Sequence, residues 1–393
     1  MCFFFSIQLA YKNVTLRTIK IKTISVFKGN ISMSSAIKKG LAGSALLLVG
    51  YLAFWPVAVD PVAWQAPINP DYSGDFSPNQ ALSQITRIEL QNEIGPEDLA
   101  LSKDGHVYFA LLSGAIKFLD SNGNIQPWVN TGGRPLGIEF DQQGNLLVAD
   151  AFKGLLKVSA DGKITTLVDR IDGMAIKYAD DVDVASNGNI YFSDASSKFH
   201  AEQYGTYGAS LLDINEHGGH GRIIEYNPNT KTSTVLAAGI NFANGVTLSH
   251  DEQFVLFNET GSYRVMRLGL SGEQRGALEV VIDNLPSFPD NIARGSNGVY
   301  WLGLVSPRSK PLDRLSDSPN LRKVIQRLPE FLRPKAQHYG HLIAINDTGE
   351  VVFNLQDPLG IYGHTTGALE VGDKLYVSSL HETALGMIDN MNR

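Results

Sequence analysis

From about residue 84 onward, apolar and polar positions alternate over short runs that are punctuated by Asp-x-x-Gly or Asn-Gly turns. Such runs occupy 103–110 (Lys-Asp-Gly-His-Val-Tyr-Phe-Ala), 141–150, 185–194, 296–302 and 372–378. Their apolar stretches suit a strand and are too short for a buried helix. A second strand-like run follows at 114–119, 154–158, 221–226 and 262–268, with little helical periodicity between, so the repeating unit reads as an antiparallel meander rather than a βαβ crossover. The period is about forty-five residues, stretched where loops are inserted. Five clear copies and a degenerate one at 341–353 predict an all-β chain, a six-bladed β-propeller over 84–393. Residues 85–90 are expected to pair with the last blade, because closing the ring leaves no long unpaired edge.

Two stretches break the period. Residues 199–220 lengthen the third blade, and residues 306–338, rich in Arg and Lys, lengthen the fifth. The second insert contains an amphipathic-helix candidate at 321–332, which would serve as a lid over the central mouth, as a helix dipping into a membrane surface, or as a solvated excursion.

The N-terminal region is different. Residues 1–39 carry seven Lys and Arg and no acid, whereas 40–59 is an uncharged apolar stretch. At about 1.5 Å per helical residue it just spans a bilayer core of about 30 Å. The expectation is a transmembrane signal anchor, with the basic N-terminus cytoplasmic and the propeller on the extracytoplasmic (in bacteria, periplasmic) side. A cleaved signal peptide, giving a secreted protein, is the alternative. Met33 is an alternative start, and residues 60–83, rich in Pro, Asp, Asn and Ser, read as a linker.

Composition narrows the chemistry. With 43% hydrophobic and 19% charged residues in 393, the chain can bury a substantial core, and its net charge of −7 argues against nucleic acid as a partner. The single cysteine, Cys2, permits neither an internal disulfide nor a thiolate zinc site. Ser193, Ser196 and Ser197 lack a Gly-x-Ser-x-Gly elbow. The Gly-rich 217–221 lacks the Lys-Ser/Thr ending of a phosphate loop, so nucleotide binding is not expected.

Four segments recur at blade-sized intervals beside apolar runs: Gly95-Pro96-Glu97-Asp98, Ala179-Asp180-Asp181-Val182, Phe242-Ala243-Asn244-Gly245 and Phe288-Pro289-Asp290-Asn291. In a ring of blades these turns converge on the axis, where Glu97, Asp181, Asn244, Asp290 and Asn291 supply carboxylate and amide oxygens of the kind Ca2+ prefers. Four or five protein oxygens leave coordination positions for water and substrate. Asp290 is the first choice to attack or to deprotonate water, with Asp181 the second. His364, at the place where the sixth blade should contribute its central turn, is the histidine raised above background as an acid or base. His338, His341 and His381 lie in or near the same loops, and His106 sits inside a strand. Asp150, Asp194 and Glu259 occupy equivalent places after successive second strands and are expected to accept main-chain hydrogen bonds in turns.

The segments Thr131-Gly132-Gly133-Arg134-Pro135-Leu136-Gly137, Tyr191-Phe192-Ser193-Asp194-Ala195-Ser196-Ser197, Phe242-Ala243-Asn244-Gly245-Val246 and 285–292 resemble the strictosidine synthase-like proteins, and within them the adipocyte plasma membrane-associated branch. That branch is related to the six-bladed gluconolactonase/regucalcin and paraoxonase propellers. The resemblance covers about residue 62 to the C-terminus and the preceding membrane anchor. It implies a central calcium at the matching positions and hydrolysis of esters, lactones or organophosphates. Two departures stand out. The second ligand motif reads Asp180-Asp181 where many relatives carry Asn, and Leu136 stands where paraoxonases carry a proposed catalytic histidine. Together these readings predict a membrane-anchored, calcium-dependent hydrolase whose partner is a small ester or lactone. The competing class is a non-catalytic ligand-binding or scaffold propeller with a structural calcium.

Overall fold

A computed structural model describes residues 34–389. The chain divides into two units between Tyr51 and Leu52. The described part of the first lies in helix α1 (Ser35–Phe54), which is long and apolar enough to cross a bilayer and has no buried residue. The helix was expected over 40–59. It stops at Phe54 because Pro56 biases the residue before it away from helical angles. Val57 and Val59 belong instead to the second unit, packed against Leu136, Tyr178 and Phe242.

The second unit contains six four-stranded antiparallel sheets, the blades of a propeller. Their inner strands are Leu99–Leu101, Pro135–Phe140, Ala179–Val184, Ala243–Leu248, Ser287–Arg294 and Thr365–Val371, defining blades one to six. Thr86–Glu89 pairs with Ala384–Ile388, from Thr86 opposite Met387 to Glu89 opposite Ala384. The first strand therefore becomes the outermost strand of the last blade, as expected. The core lies between neighbouring blades; Ala149 and Leu155 of blade two, for example, meet Val182, Phe192 and Ile224 of blade three.

The inner strands share one irregularity. In blade two Pro135 opposes Asp150 and Ile138 opposes Val148, so residues 136 and 137 share a single partner position. The same two-against-one bulge occurs at 180–181, 244–245, 290–291 and 366–367. In blade one Glu97 and Asp98 bracket Ala110 through Glu97 N–Ala110 O and Ala110 N–Asp98 O bonds of 3.0 and 3.2 Å. Bulges re-aim side chains. The six bulges form two tiers around the axis: Glu97, Leu136, Asp180, Asn244, Asp290 and Thr366 come first in each pair, and Asp98, Gly137, Asp181, Gly245, Asn291 and Gly367 second.

At Gly137 and Gly245 of the second tier glycine is required, because the neighbouring strands nearly touch there. A Cβ on Gly245 would lie 2.5 Å from the Ile292 nitrogen and 2.6 Å from Asn291 Cα. These contacts are main chain and cannot yield by a rotamer change. Gly245→Ala is expected to cost at least the ~1–3 kcal/mol of core overpacking. A thermal melt that does not move would refute this close approach.

Both inserts connect the second and third strands of their blades. Residues 199–220 form α2 (Ala201–Tyr204) and α3 (Thr206–Glu216), and 306–338 form α4 (Lys310–Arg314), α5 (Pro319–Arg327) and a short turn at Glu330–Leu332. Pro329 divides the expected 321–332 helix. The 60–83 stretch, expected as a linker, is laid along the propeller. Val62 N donates to Glu216 O (2.8 Å) and Trp64 N to Ser316 O (3.0 Å). Trp64 stacks on His217 at 3.9 Å, and buried Arg322 joins the Asn215, Val62 and Ser316 carbonyls. The segment thus ties the two inserts together. Its polar composition suits irregular backbone, but its hydrogen-bond partners hold it in place.

Candidate functional site

The inserts and the blade ends enclose a cavity of about 970 Å³. Its floor includes Glu97, Asp180, Asn244 and Asp290 from the first bulge tier, and its walls are largely apolar, with Leu136, Tyr178, Phe242 and Phe288 from the blades and Leu211 and Ile325 from the inserts. Leu136 therefore occupies one of the six ring positions, as an apolar wall.

The floor groups are linked. Asn291 Nδ2 donates to Glu97 Oε1 (3.1 Å) and to the Glu97 carbonyl (3.2 Å), and the Asn244 side chain hydrogen-bonds the Asp290 carboxyl. Burial, reinforced by the Asp290 charge, pushes Glu97 up to about 8. Asp290 is raised to about 7, chiefly by burial, against the Asn244 hydrogen bond. Asp180 is raised well above the carboxylate range by burial and then by Glu97 and Asp290. Arg134, itself buried, is the cation that offsets Glu97. Glu97 Oε2, Asn244 Oδ1 and Asn291 Oδ1 are buried acceptors without a donor.

Asp181 is placed differently from its expected role. Its Oδ1 accepts from Val182 N (2.8 Å) and its Oδ2 from Val246 N (2.7 Å), so the carboxylate clamps blade three to blade four. Asp98 clamps blade one to blade two through Ile138 N (2.8 Å), and Asp183 accepts from Leu248 N (2.7 Å). The cavity-facing carboxylate of blade three is Asp180. Aligning each motif on the apolar residue that follows it, Val182 with Val246 and Ile292, places Asp180 beside Asn244 and Asp290. That signal was present in the sequence. Below the floor, Asp98 and Glu139 are raised to about 8 by burial, and Asp183 is raised by burial against Arg294 at 2.9 Å.

Among the histidines, His364 and His381 line the cavity and His341 does not. His341 is fully buried, bonds Asn354, and is pushed down to about 3 by burial. His364 is lowered to about 4 by burial and then by His381. Its Nδ1 faces the Val305 carbonyl at 3.3 Å, so the hydrogen sits on Nδ1 and Nε2 is left as an acceptor. His338, edge-on to His364 at 5.0 Å, bonds Glu382 at 2.9 Å. Asp150, Asp194 and Glu259 accept the main-chain N–H groups of Arg134, Tyr178 and Asn241 at 3.1, 3.1 and 3.0 Å, as expected of turn anchors.

Residues 180–273 match the strictosidine synthase family and residues 74–119 the strictosidine synthase-like N-terminal family. A strictosidine synthase-like protein of Arabidopsis thaliana is 35% identical over 308 residues, spanning 75% of this chain and 79% of its own. The chain belongs to the strictosidine synthase-like family. This strictosidine synthase-like protein is also 32% identical to the adipocyte plasma membrane-associated protein of Bos taurus over 391 residues, 92% of either chain. Among solved structures, it shares its fold with a gluconolactonase from Xanthomonas campestris (TM-score 0.57, 15% identity, 79% of this chain and 90% of that one). The calcium-binding protein regucalcin from Agrobacterium tumefaciens is similar at TM-score 0.53 and 16% identity, over 77% of this chain and 90% of its own.

Among the described residues, no three His, Cys, Asp or Glu side chains form a metal cluster. The donors that the strictosidine synthase-like protein gathers at its axis are mixed carboxylates and amides. Buried oxygen acceptors lacking donors, gathered with carboxylates, are of the type that a hard, oxygen-seeking cation takes.

Proposed function

We propose that the protein is a calcium-dependent hydrolase of esters or lactones, held to a membrane by α1 with its N-terminus cytoplasmic. The observation that carries the reading is the set of donorless buried oxygens, Glu97 Oε2 and Asn244 Oδ1 on residues that line the floor of an apolar chamber with Asp180 and Asp290, and Asn291 Oδ1 on the residue after Asp290. Glu97, Asp180, Asn244, Asp290 and Asn291 would hold the cation, whose charge would offset the negative charge developing on the substrate oxygen.

The chain's own groups supply the rest. Asp290, oriented by Asn244, takes the proton of the attacking water and returns it to the leaving oxygen as the carbonyl–oxygen bond breaks. His364 holds the water's other hydrogen through Nε2. The apolar walls seat the substrate's carbon skeleton and exclude bulk water.

Metal analysis of the full chain, with a panel of aryl esters, lactones and phosphotriesters assayed with and without chelator, tests the reading. Turnover indifferent to the chelator would sink it. A paired substitution separates the two adjacent aspartates. Asp180→Ala is expected to weaken calcium binding, whereas Asp181→Ala strands two buried N–H groups at ~1–3 kcal/mol each and lowers the melting temperature with calcium stoichiometry unchanged. Calcium titration calorimetry and thermal melts of both variants read the difference.

A further inference from the structure

The cavity is polarised from floor to rim in a way that a small ester or lactone does not use. Carboxyls occupy the floor, and the middle is apolar. The rim carries Lys310, at the start of α4, and Arg333, beyond α5. Arg333 uses its Nε on the Leu328 carbonyl at 2.8 Å, a neutral acceptor that leaves the guanidinium charge uncompensated. Neither Arg333 nor Lys310 has a carboxylate within 4.0 Å among the described residues, whereas nearby Arg308 pairs with Asp313 at 3.1 Å and Lys335 with Glu330 at 3.3 Å. Arg322, also at the cavity, is committed to main-chain carbonyls. The volume of about 970 Å³ lies at the top of the ~300–1,000 Å³ range of sites that take drug-sized ligands. A single small ring would leave most of the apolar wall facing water.

We propose that the chamber binds an anionic amphiphile, with an apolar chain against Leu211, Leu312 and Ile325 and a carboxylate or phosphate at the rim beside Lys310 and Arg333. The proposal deepens the hydrolase reading and rests on its view that this cavity is the substrate chamber. It reverses the polarity that the floor alone would select. Arg322 aside, the cavity's cations without a carboxylate partner among the described residues are Lys310 and Arg333 of the insert, whereas the floor carboxyls are either protonated or taken up by the cation they hold, so the charged end stays at the rim and the chain runs inward. A substrate of this class carries its scissile carbonyl at the inner end and its anion at the outer one. The attraction comes from partly solvated cations and should therefore fade with salt.

Full-length protein in lipid nanodiscs is titrated calorimetrically with octanoate, octanol and octylammonium, with empty nanodiscs as the blank. Octanoate is expected to bind roughly five- to tenfold tighter than octanol, and octylammonium more weakly than either. The Lys310→Ala/Arg333→Ala double variant should lose this preference and keep its affinity for octanol, which reports that the chamber is still folded. Equal affinities in the parent protein, no binding of any of the three, or a preference that survives in the double variant would overturn the proposal. The same preparation is assayed with p-nitrophenyl octanoate and its ω-carboxylated counterpart, p-nitrophenyl hydrogen suberate. Octanoate preference without turnover of either ester would sink the hydrolase reading and leave this inference standing. Turnover of the neutral ester without octanoate preference would do the reverse.

Discussion

Asp290→Asn is expected to lower ester turnover by a factor of about 10²–10⁴, the range associated with loss of a positioned general base. Asparagine keeps the shape of the side chain and an oxygen for coordination, but it cannot take up the proton of water. The buried floor should survive the exchange, since removing a raised carboxyl also removes a source of repulsion with Glu97. The expected result is therefore protein that folds, retains its calcium by elemental analysis and has lost kcat. In the calcium-loaded parent protein kcat/KM should fall with decreasing pH as Asp290 is protonated, and the fall should lie below the value of about 7 that burial gives the metal-free carboxyl, because the bound cation favours the ionised form. A variant with unchanged kcat would remove Asp290 from the chemistry. Unchanged ligand binding with no turnover in either protein would favour a non-catalytic propeller.

Chelation should have the second large effect, and its sign depends on pH. Glu97 is raised to about 8 and Asp290 to about 7 by burial, and Asp98 and Glu139 to about 8. Their unfolded values lie near ~4. Carboxyls raised in the folded state bind protons that the unfolded chain has released. Their contribution is fully present below about pH 4 and is lost as pH rises through 7 to 8. Metal-free protein should therefore melt progressively lower from pH 5 to pH 8. Calcium takes the place of the missing protons. Added calcium should raise the melting temperature by roughly 5–10 °C at pH 8 and much less at pH 5. Differential scanning calorimetry across that interval reads both effects, and a calcium response independent of pH would contradict a cation held by these carboxyls.

The candidate site shows where local pattern and tertiary structure divide the work. Glu97, Asn244 and Asp290 were legible because each stands at a turn beside an apolar strand, and the structure brings all three to one cavity floor. Asp180 was missed by one position. Alternation along a strand does not say which of two adjacent acids faces the axis once a bulge intervenes; that information lay only in aligning the motifs on the apolar residue after each, and the facing strand shows the bulge directly. Helix α3 was legible in principle, since its buried Ala209, Leu212, Asp213 and Glu216 follow helical spacing, but two of those four are acids and mask the apolar stripe.

The sequence by itself determined the number of blades, the closure by the first strand and the identity of most of the floor groups, because turns and period-two alternation are properties of a few consecutive residues. Only the tertiary structure decided that Asp181 clamps two blades, that residues 60–66 tie the inserts together and that Lys310 and Arg333 line one chamber with the carboxyls. These are relations between segments far apart in the chain, set by which main-chain groups and charges meet when the ring closes.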